Sequence, residues 1–170
     1  PQEGEWQREW LTSTLASKAQ NVSSNRWMLW MTEFCMPMRV YIEDTDAGGI
    51  VYYANYLKFM ERARTELMRS LGYGKPALFD GLQLVVHEVQ VKYHSPAVLD
   101  DEIRVLAKLE SVRKVTLSMS QNIFRGDTLL CEGHVKLACL NAATKKPAAM
   151  PQVMYQKLNG LMAQYRSSGQ

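Results

Sequence analysis

The sequence predicts an α+β protein in which one long helix packs against a five-stranded antiparallel sheet. Three observations carry that prediction. Apolar residues alternate with polar ones along several separate runs, the period of half-buried strands. One uninterrupted stretch from Asn55 to Leu71 instead repeats its apolar residues at helical spacing,. Gly, Asn and Asp gather at the joins between these stretches, where the chain has to turn,.

The elements follow in order. Met38, Val40 and Ile42 alternate with Arg39 and Tyr41, which predicts a first strand,. Glu43-Asp44-Thr45-Asp46-Ala47-Gly48-Gly49 is a turn-rich stretch,. The helix is expected from about Asn55, as N-cap, to Leu71, with Gly72 as its stop,. Its stripe is Tyr56, Met60, Ala63, Leu67 and Leu71. Val85, His87, Val89, Val91 and Tyr93 share one face of a second strand, which makes His87 a core histidine. Ile103, Val105, Ala107 and Leu109 repeat the pattern, as do Val115, Leu117, Met119 and Ile123, and then Leu129, Cys131, Val135, Leu137 and Cys139. Asp100-Asp101 and Arg125-Gly126-Asp127 read as hairpin turns, and a last helix spans about Gln152 to Tyr165,. A long helix on such a sheet leaves an edge strand open, which pairing with a second copy would close, so a homo-oligomer is expected.

At 170 residues the chain suits one domain,. A net charge of +3 with no Lys/Arg block gives no footprint for nucleic acid,. Cys35, Cys131 and Cys139 are odd in number and form no CxxC pair, so they read as reduced thiols of a cytoplasmic protein, without disulfide or zinc site,. The most apolar window, Trp27 to Met38, is interrupted by Glu33 and falls short of the ~20 residues of a membrane span,. All four Trp (Trp6, Trp10, Trp27 and Trp30) precede residue 36. Residues 1–36 are accordingly read as an N-terminal extension, an upstream or appended leader, and 37–170 as the folded domain,. An amphipathic docking element built on Trp6, Trp10 and Leu11 is the competing reading of that segment.

The chemistry concentrates in Asp44-Thr45-Asp46-Ala47-Gly48-Gly49-Ile50-Val51-Tyr52-Tyr53-Ala54-Asn55-Tyr56. Here the chain leaves a strand, turns on glycines and enters a helix. A loop carboxylate then lies near free N–H groups at a helix start, where developing negative charge is stabilised, as acyl transfer from a thioester requires. This stretch, continued by Phe59-Met60-Glu61-Arg62-Ala63-Arg64-Thr65-Glu66, resembles the 4-hydroxybenzoyl-CoA thioesterase branch of the hot-dog superfamily. More closely it resembles the tol-pal-associated acyl-CoA thioesterases of Gram-negative bacteria. The resemblance covers about Met38 to Lys157, through Val91-Lys92-Tyr93-His94-Ser95-Pro96-Ala97 and Leu99-Asp100-Asp101 to Met150-Pro151.

That resemblance implies a hot-dog fold, a homodimer or tetramer of dimers, and acyl-CoA hydrolysis without cofactor or metal. It implies Asp46 as the catalytic carboxylate, attacking the thioester as nucleophile or activating water as general base. It implies the backbone N–H of Tyr53 as oxyanion donor, at a position where members of the subgroup often carry His. Arg113 and Lys114 match residues that contact coenzyme A phosphates, although a plain solvated turn explains them equally well. Glu61 is a second candidate carboxylate, because other hot-dog enzymes use one from the central helix; otherwise it pairs along the helix surface. Asp44 fills the turn-capping role equally well as Asp46, and Lys145-Lys146 reads as a solvated loop. His94 and His134 lack a partner at triad-like spacing, and no His lies between Asp46 and Glu66, which speaks against a dehydratase. A non-catalytic adaptor binding acyl-CoA or acyl carrier protein in envelope biogenesis is the alternative from another class.

Overall fold

The computed structural model describes residues 33–73 and 81–167, within a compact unit comprising Thr32–Gln170. The tryptophan-bearing segment lies outside the described residues. The elements are β1 (Phe34–Arg39), a 3₁₀ turn (Ile42–Asp44), α1 (Asn55–Ser70), β2 (Leu82–Tyr93), β3 (Glu102–Val112), β4 (Thr116–Arg125), β5 (Thr128–Asn141) and α2 (Gln152–Ser167). One five-stranded sheet has the order β1-β3-β4-β5-β2, with every neighbouring pair antiparallel. This is the expected α+β, hot-dog arrangement.

Helix α1 buries Tyr56, Phe59, Met60, Ala63, Leu67 and Met68 on the inner face of the sheet. Near its start these pack with Val40, Val51, Ala97, Ile103 and Ile123. Near its end Leu67 and Met68 join Leu109, Leu117 and Val135, and here α2 adds Met154 and Leu158. The helix ends as expected at Gly72, whose φ of +94° suits only glycine,. Gly72 N–H bonds the Arg69 carbonyl and Tyr73 N–H the Met68 carbonyl, a Schellman closure.

Four local expectations need correction. β1 ends at Arg39 rather than continuing to Ile42, because the Asp44 carboxylate accepts the Tyr41 N–H and draws the chain into a turn,. Asn55 is the first helical residue, with Ala54 as N-cap; its side chain is used elsewhere, as described below. Asp100-Asp101 is not a hairpin, since β3 pairs with β1 and β4 while β2 pairs with β5. His87 is exposed rather than in the core. The β2–β5 register shifts between Val86 and Glu88, and this irregularity takes His87 out of the alternation. Leu84 and Val86 oppose buried Cys139 and Leu137 before the shift, and Val89 opposes buried Val135 after it.

Candidate active site

The segment from Asp44 to Tyr56 folds into a tight hairpin that runs straight into α1. Thr45 and Val51 form an antiparallel bridge. Asp46 N–H bonds the Ile50 carbonyl at 2.9 Å and Gly49 N–H the Asp46 carbonyl at 3.0 Å. Gly49 has φ +79°, which explains one of the two glycines,. The hairpin is tied to the loop before β3 by Val51 N–H on the Ala97 carbonyl, at 2.8 Å, and by a bridge from Ile50 to Val98.

The two aspartates have different environments. Asp44 is buried, with 4% exposure. Its carboxylate accepts the Tyr41 N–H at 2.9 Å, and its backbone carbonyl accepts both Tyr52 N–H at 2.9 Å and the Asn55 side-chain amide at 2.8 Å. Asp44 thus holds the hairpin to the helix start. Asp46 is exposed, and its Oδ1 accepts the Gly48 N–H at 2.8 Å. That bond orients the carboxylate while leaving it open to a ligand. Both aspartates fill the capping role that either could fill by sequence, Asp46 through the Gly48 N–H within the turn and Asp44 through the Tyr41 N–H at its base,.

The helix start supplies donors. Tyr52 N–H goes to Asp44, Asn55 N–H to the Tyr52 carbonyl and Leu57 N–H to the Ala54 carbonyl. Among the described residues, the Tyr53 and Ala54 amides donate to no backbone carbonyl. These are the free amides that a helix start offers to negative oxygen. Around them lies an aromatic group that the sequence reading did not assemble. The Tyr52 and Tyr53 rings lie 4.6 Å apart, and Tyr53 is 61% exposed. The Tyr52 hydroxyl is held above its ordinary range by its hydrogen bond to Tyr53 and that ring's charge, with smaller contributions from burial and from the Asp46 carboxylate. Tyr93 packs edge-on against Tyr53 and Tyr56.

Glu61 lies on the exposed side of α1, about 9 Å along the axis from Asn55 at 1.5 Å per residue. Its Oε1 accepts the Thr65 hydroxyl at 2.9 Å. Arg113 and Lys114 sit in the β3–β4 turn, where the Lys114 carbonyl accepts Met150 N–H at 2.8 Å. The Asp46 hairpin touches the loop leading into β3, whereas Arg113 and Lys114 follow its last residue. The 11 residues of β3 therefore hold them roughly 30 Å from Asp46 within one protomer. His94 and His134 do face carboxylates, Glu132 at 3.4 Å and Glu110 at 3.1 Å, but these pairs lie along the strands and not in the hairpin.

One buried polar cluster escaped the sequence reading. Gln121 occupies an apolar-parity position of β4 with 0% exposure. Its Nε2 donates to the Met60 carbonyl at 2.8 Å, and its Oε1 accepts from Arg64 Nη1 at 2.9 Å. Burial lowers the Arg64 pKa, with nearby Glu61 opposing.

Among the described residues, no helix is long and apolar enough to cross a membrane. The model of the thioesterase-like superfamily matches residues 40–158. The chain is 42% identical over 123 residues to the acyl-CoA thioester hydrolase YbgC of Escherichia coli O6:H1, covering 71% of this chain and 92% of that protein. It is 41% identical over 121 residues to the acyl-CoA thioesterase YbgC of Haemophilus influenzae, covering 70% and 89%. A probable thioesterase from Bartonella henselae matches in structure with TM-score 0.64 and 31% identity, over 71% of this chain and 99% of that one. With its fold and motif on the same residues as the matching family model, the chain belongs to the thioesterase-like superfamily, and its enzyme class is thioester hydrolase.

Proposed function

We propose that the protein hydrolyses acyl-CoA thioesters, with Asp46 as the catalytic carboxylate and the Tyr53 N–H as oxyanion donor. The observation that carries this reading is the juxtaposition in one short hairpin of an exposed, oriented carboxylate and uncommitted amides at the start of α1. As general base, Asp46 takes a proton from water while the oxygen attacks the thioester carbonyl. The carbonyl oxygen becomes negative against the Tyr53 amide. Collapse breaks the C–S bond, and the departing thiolate takes the proton back from Asp46. As nucleophile, Asp46 instead forms a mixed anhydride as the thiolate leaves, and water then cleaves it. Turnover in ¹⁸O-water that leaves label in the Asp46 carboxylate marks the anhydride route with water attacking the Asp46 carboxyl carbon, since the general-base route puts label only in the product acid.

A homodimer explains how Arg113 and Lys114 reach the same site. β2 is a 12-residue edge strand, with Val86, Val89 and Tyr93 exposed, and such an edge invites a further strand. Pairing β2 antiparallel with β2 of a second copy reverses the copy's direction. Its β3–β4 turn then comes to the Asp46 end of the first protomer, where Arg113 and Lys114 contact the coenzyme phosphates. The acyl group lies along α1 toward the second copy. Glu61 lines this face as a secondary carboxylate.

The test is thiol release from short, medium, long-chain and aromatic acyl-CoAs, by wild type and Asp46→Asn. Hydrolysis by wild type that vanishes in a folded Asp46→Asn variant is the expected result. Persistent activity in that variant moves the chemistry away from Asp46, to Glu61 or elsewhere. Silence of the wild type on every thioester favours the adaptor that binds acyl-CoA or acyl carrier protein.

A further inference from the structure

The oxyanion turn has a carbonyl that the helix does not use. Leu57 N–H bonds the Ala54 carbonyl, so the Tyr53 carbonyl receives no helical amide. It accepts instead the hydroxyl of Tyr93, the last residue of β2, at 2.9 Å. The Tyr93 ring is wedged edge-on between Tyr53, at 6.5 Å, and Tyr56, at 5.5 Å. The peptide before it is fixed separately, because the Tyr52 carbonyl accepts Asn55 N–H at 2.8 Å. Of the two peptide planes whose amides stay uncommitted, the first is therefore held by the helix itself and the second by Tyr93.

We propose that Tyr93 is a positioning residue of the thioesterase site. Its hydroxyl pins the Tyr53–Ala54 peptide so that the Ala54 amide, beside that of Tyr53, faces the reacting oxygen rather than the Tyr53 carbonyl. A flip of this peptide turns its carbonyl to the side where its N–H was, replacing attraction for the developing negative charge by repulsion. Preorganised donors stabilise an oxyanion because they need not reorient during reaction. Burial raises the Tyr93 pKa, with Cys131 and the neighbouring tyrosines adding, so the hydroxyl stays a donor at neutral pH. The inference rests on the reading of Tyr53 given above and adds to it a second donor, the Ala54 N–H, whose peptide plane Tyr93 of β2 holds through the Tyr53 carbonyl.

Tyr93→Phe removes the hydroxyl and keeps the ring. The expected result is a kcat lower by about 10- to 100-fold, the scale on which a donor misplaced by a fraction of its contact acts. KM, and the dissociation constant of a thioether analogue of acyl-CoA, which forms no oxyanion, stay unchanged, as does the native mass. Unchanged kcat in Tyr93→Phe beside an active wild type overturns the positioning role and leaves the assignment of Asp46 standing. A fall in kcat matched by weaker analogue binding or by a change in native mass also overturns it, assigning Tyr93 to packing or assembly. Fluorinated tyrosine at position 93 keeps the shape and lowers the phenol pKa, so it serves if the Phe variant does not fold. Its kcat should drop with rising pH as that phenol ionises, where wild type shows no such step; the absence of the step overturns the proposal. A wild type silent on all thioesters removes the oxyanion reading and this role with it.

Discussion

Asp46 and Asp44 stand two positions apart, and each carboxylate accepts one backbone amide, yet they differ in burial, the respect that bears most on chemistry. Asp44 is buried and bonded to the backbone, so it holds structure; Asp46 is exposed and oriented by a single amide. Gly48 is what lets that amide approach, since a Cβ there would lie 3.0 Å from Asp46 Oδ1. Gly48→Ala is therefore expected to displace the carboxylate and cut kcat by about 10-fold or more, with the melting temperature nearly unchanged. Steady-state kinetics beside a thermal melt checks both halves. Asp44→Ala should do the reverse at the level of stability. Removing the acceptor of Tyr41 N–H costs about 1–3 kcal/mol, read as a lower denaturation midpoint.

At the scale of elements, the position of α1 on the sheet depends on two residues that hydrophobic alternation does not reveal. Gly133 of β5 leaves room for Met60: a Cβ there would meet its Cε at 2.6 Å and the Gln121 carbonyl oxygen at 3.2 Å. Met60 is fully buried, so its end would have to repack inside the core, and the Gln121 carbonyl, being backbone, yields less. Gly133→Ala is expected to destabilise by about 1–3 kcal/mol through overpacking. Adding Met60→Ala should recover part of that loss, a coupling that a double-mutant cycle in denaturant measures. Gln121 then ties the helix axially to β4 through the Met60 carbonyl and gives buried Arg64 an acceptor. Helical and strand periods were legible because they record which face meets the core. The β2 irregularity at His87 was not, because a shift of one residue leaves the composition of the strand unchanged,.

For the whole molecule, burial raises the pKa of the Cys131 thiol to about 12 and moves Tyr56, Tyr93 and Cys139 in the same direction. Groups whose folded pKa exceeds the unfolded one bind their protons more tightly in the native state. Their contribution is complete below the unfolded pKa and is lost as pH rises through the folded one. Stability is therefore expected to hold at neutral pH and fall from about pH 8.5, the ordinary cysteine value, upward. Melting temperatures from neutral to alkaline pH check this, and Cys131→Ser should flatten part of the slope. Assembly belongs to the same scale. For the β2-paired homodimer proposed above, Val89→Glu, which places charge on the exposed part of β2, is expected to shift the native mass in light scattering toward a single protomer.

The sequence by itself determined the α+β class, the order of helix and strands, and the turn-rich stretch that carries the proposed site. These are local properties: period, turn residues and a contiguous motif from Asp44 to Tyr56 are written in neighbouring positions. Only the tertiary structure decided which aspartate is buried, that β3 lies beside β1 and β4 rather than β2, and that Gln121 and Arg64 meet under α1. It alone brought Tyr93, 40 residues away in the chain, onto the carbonyl of Tyr53. Contacts of that separation arise from how strands are laid side by side, and the alternation of apolar residues says which face a strand buries without saying which neighbour it takes.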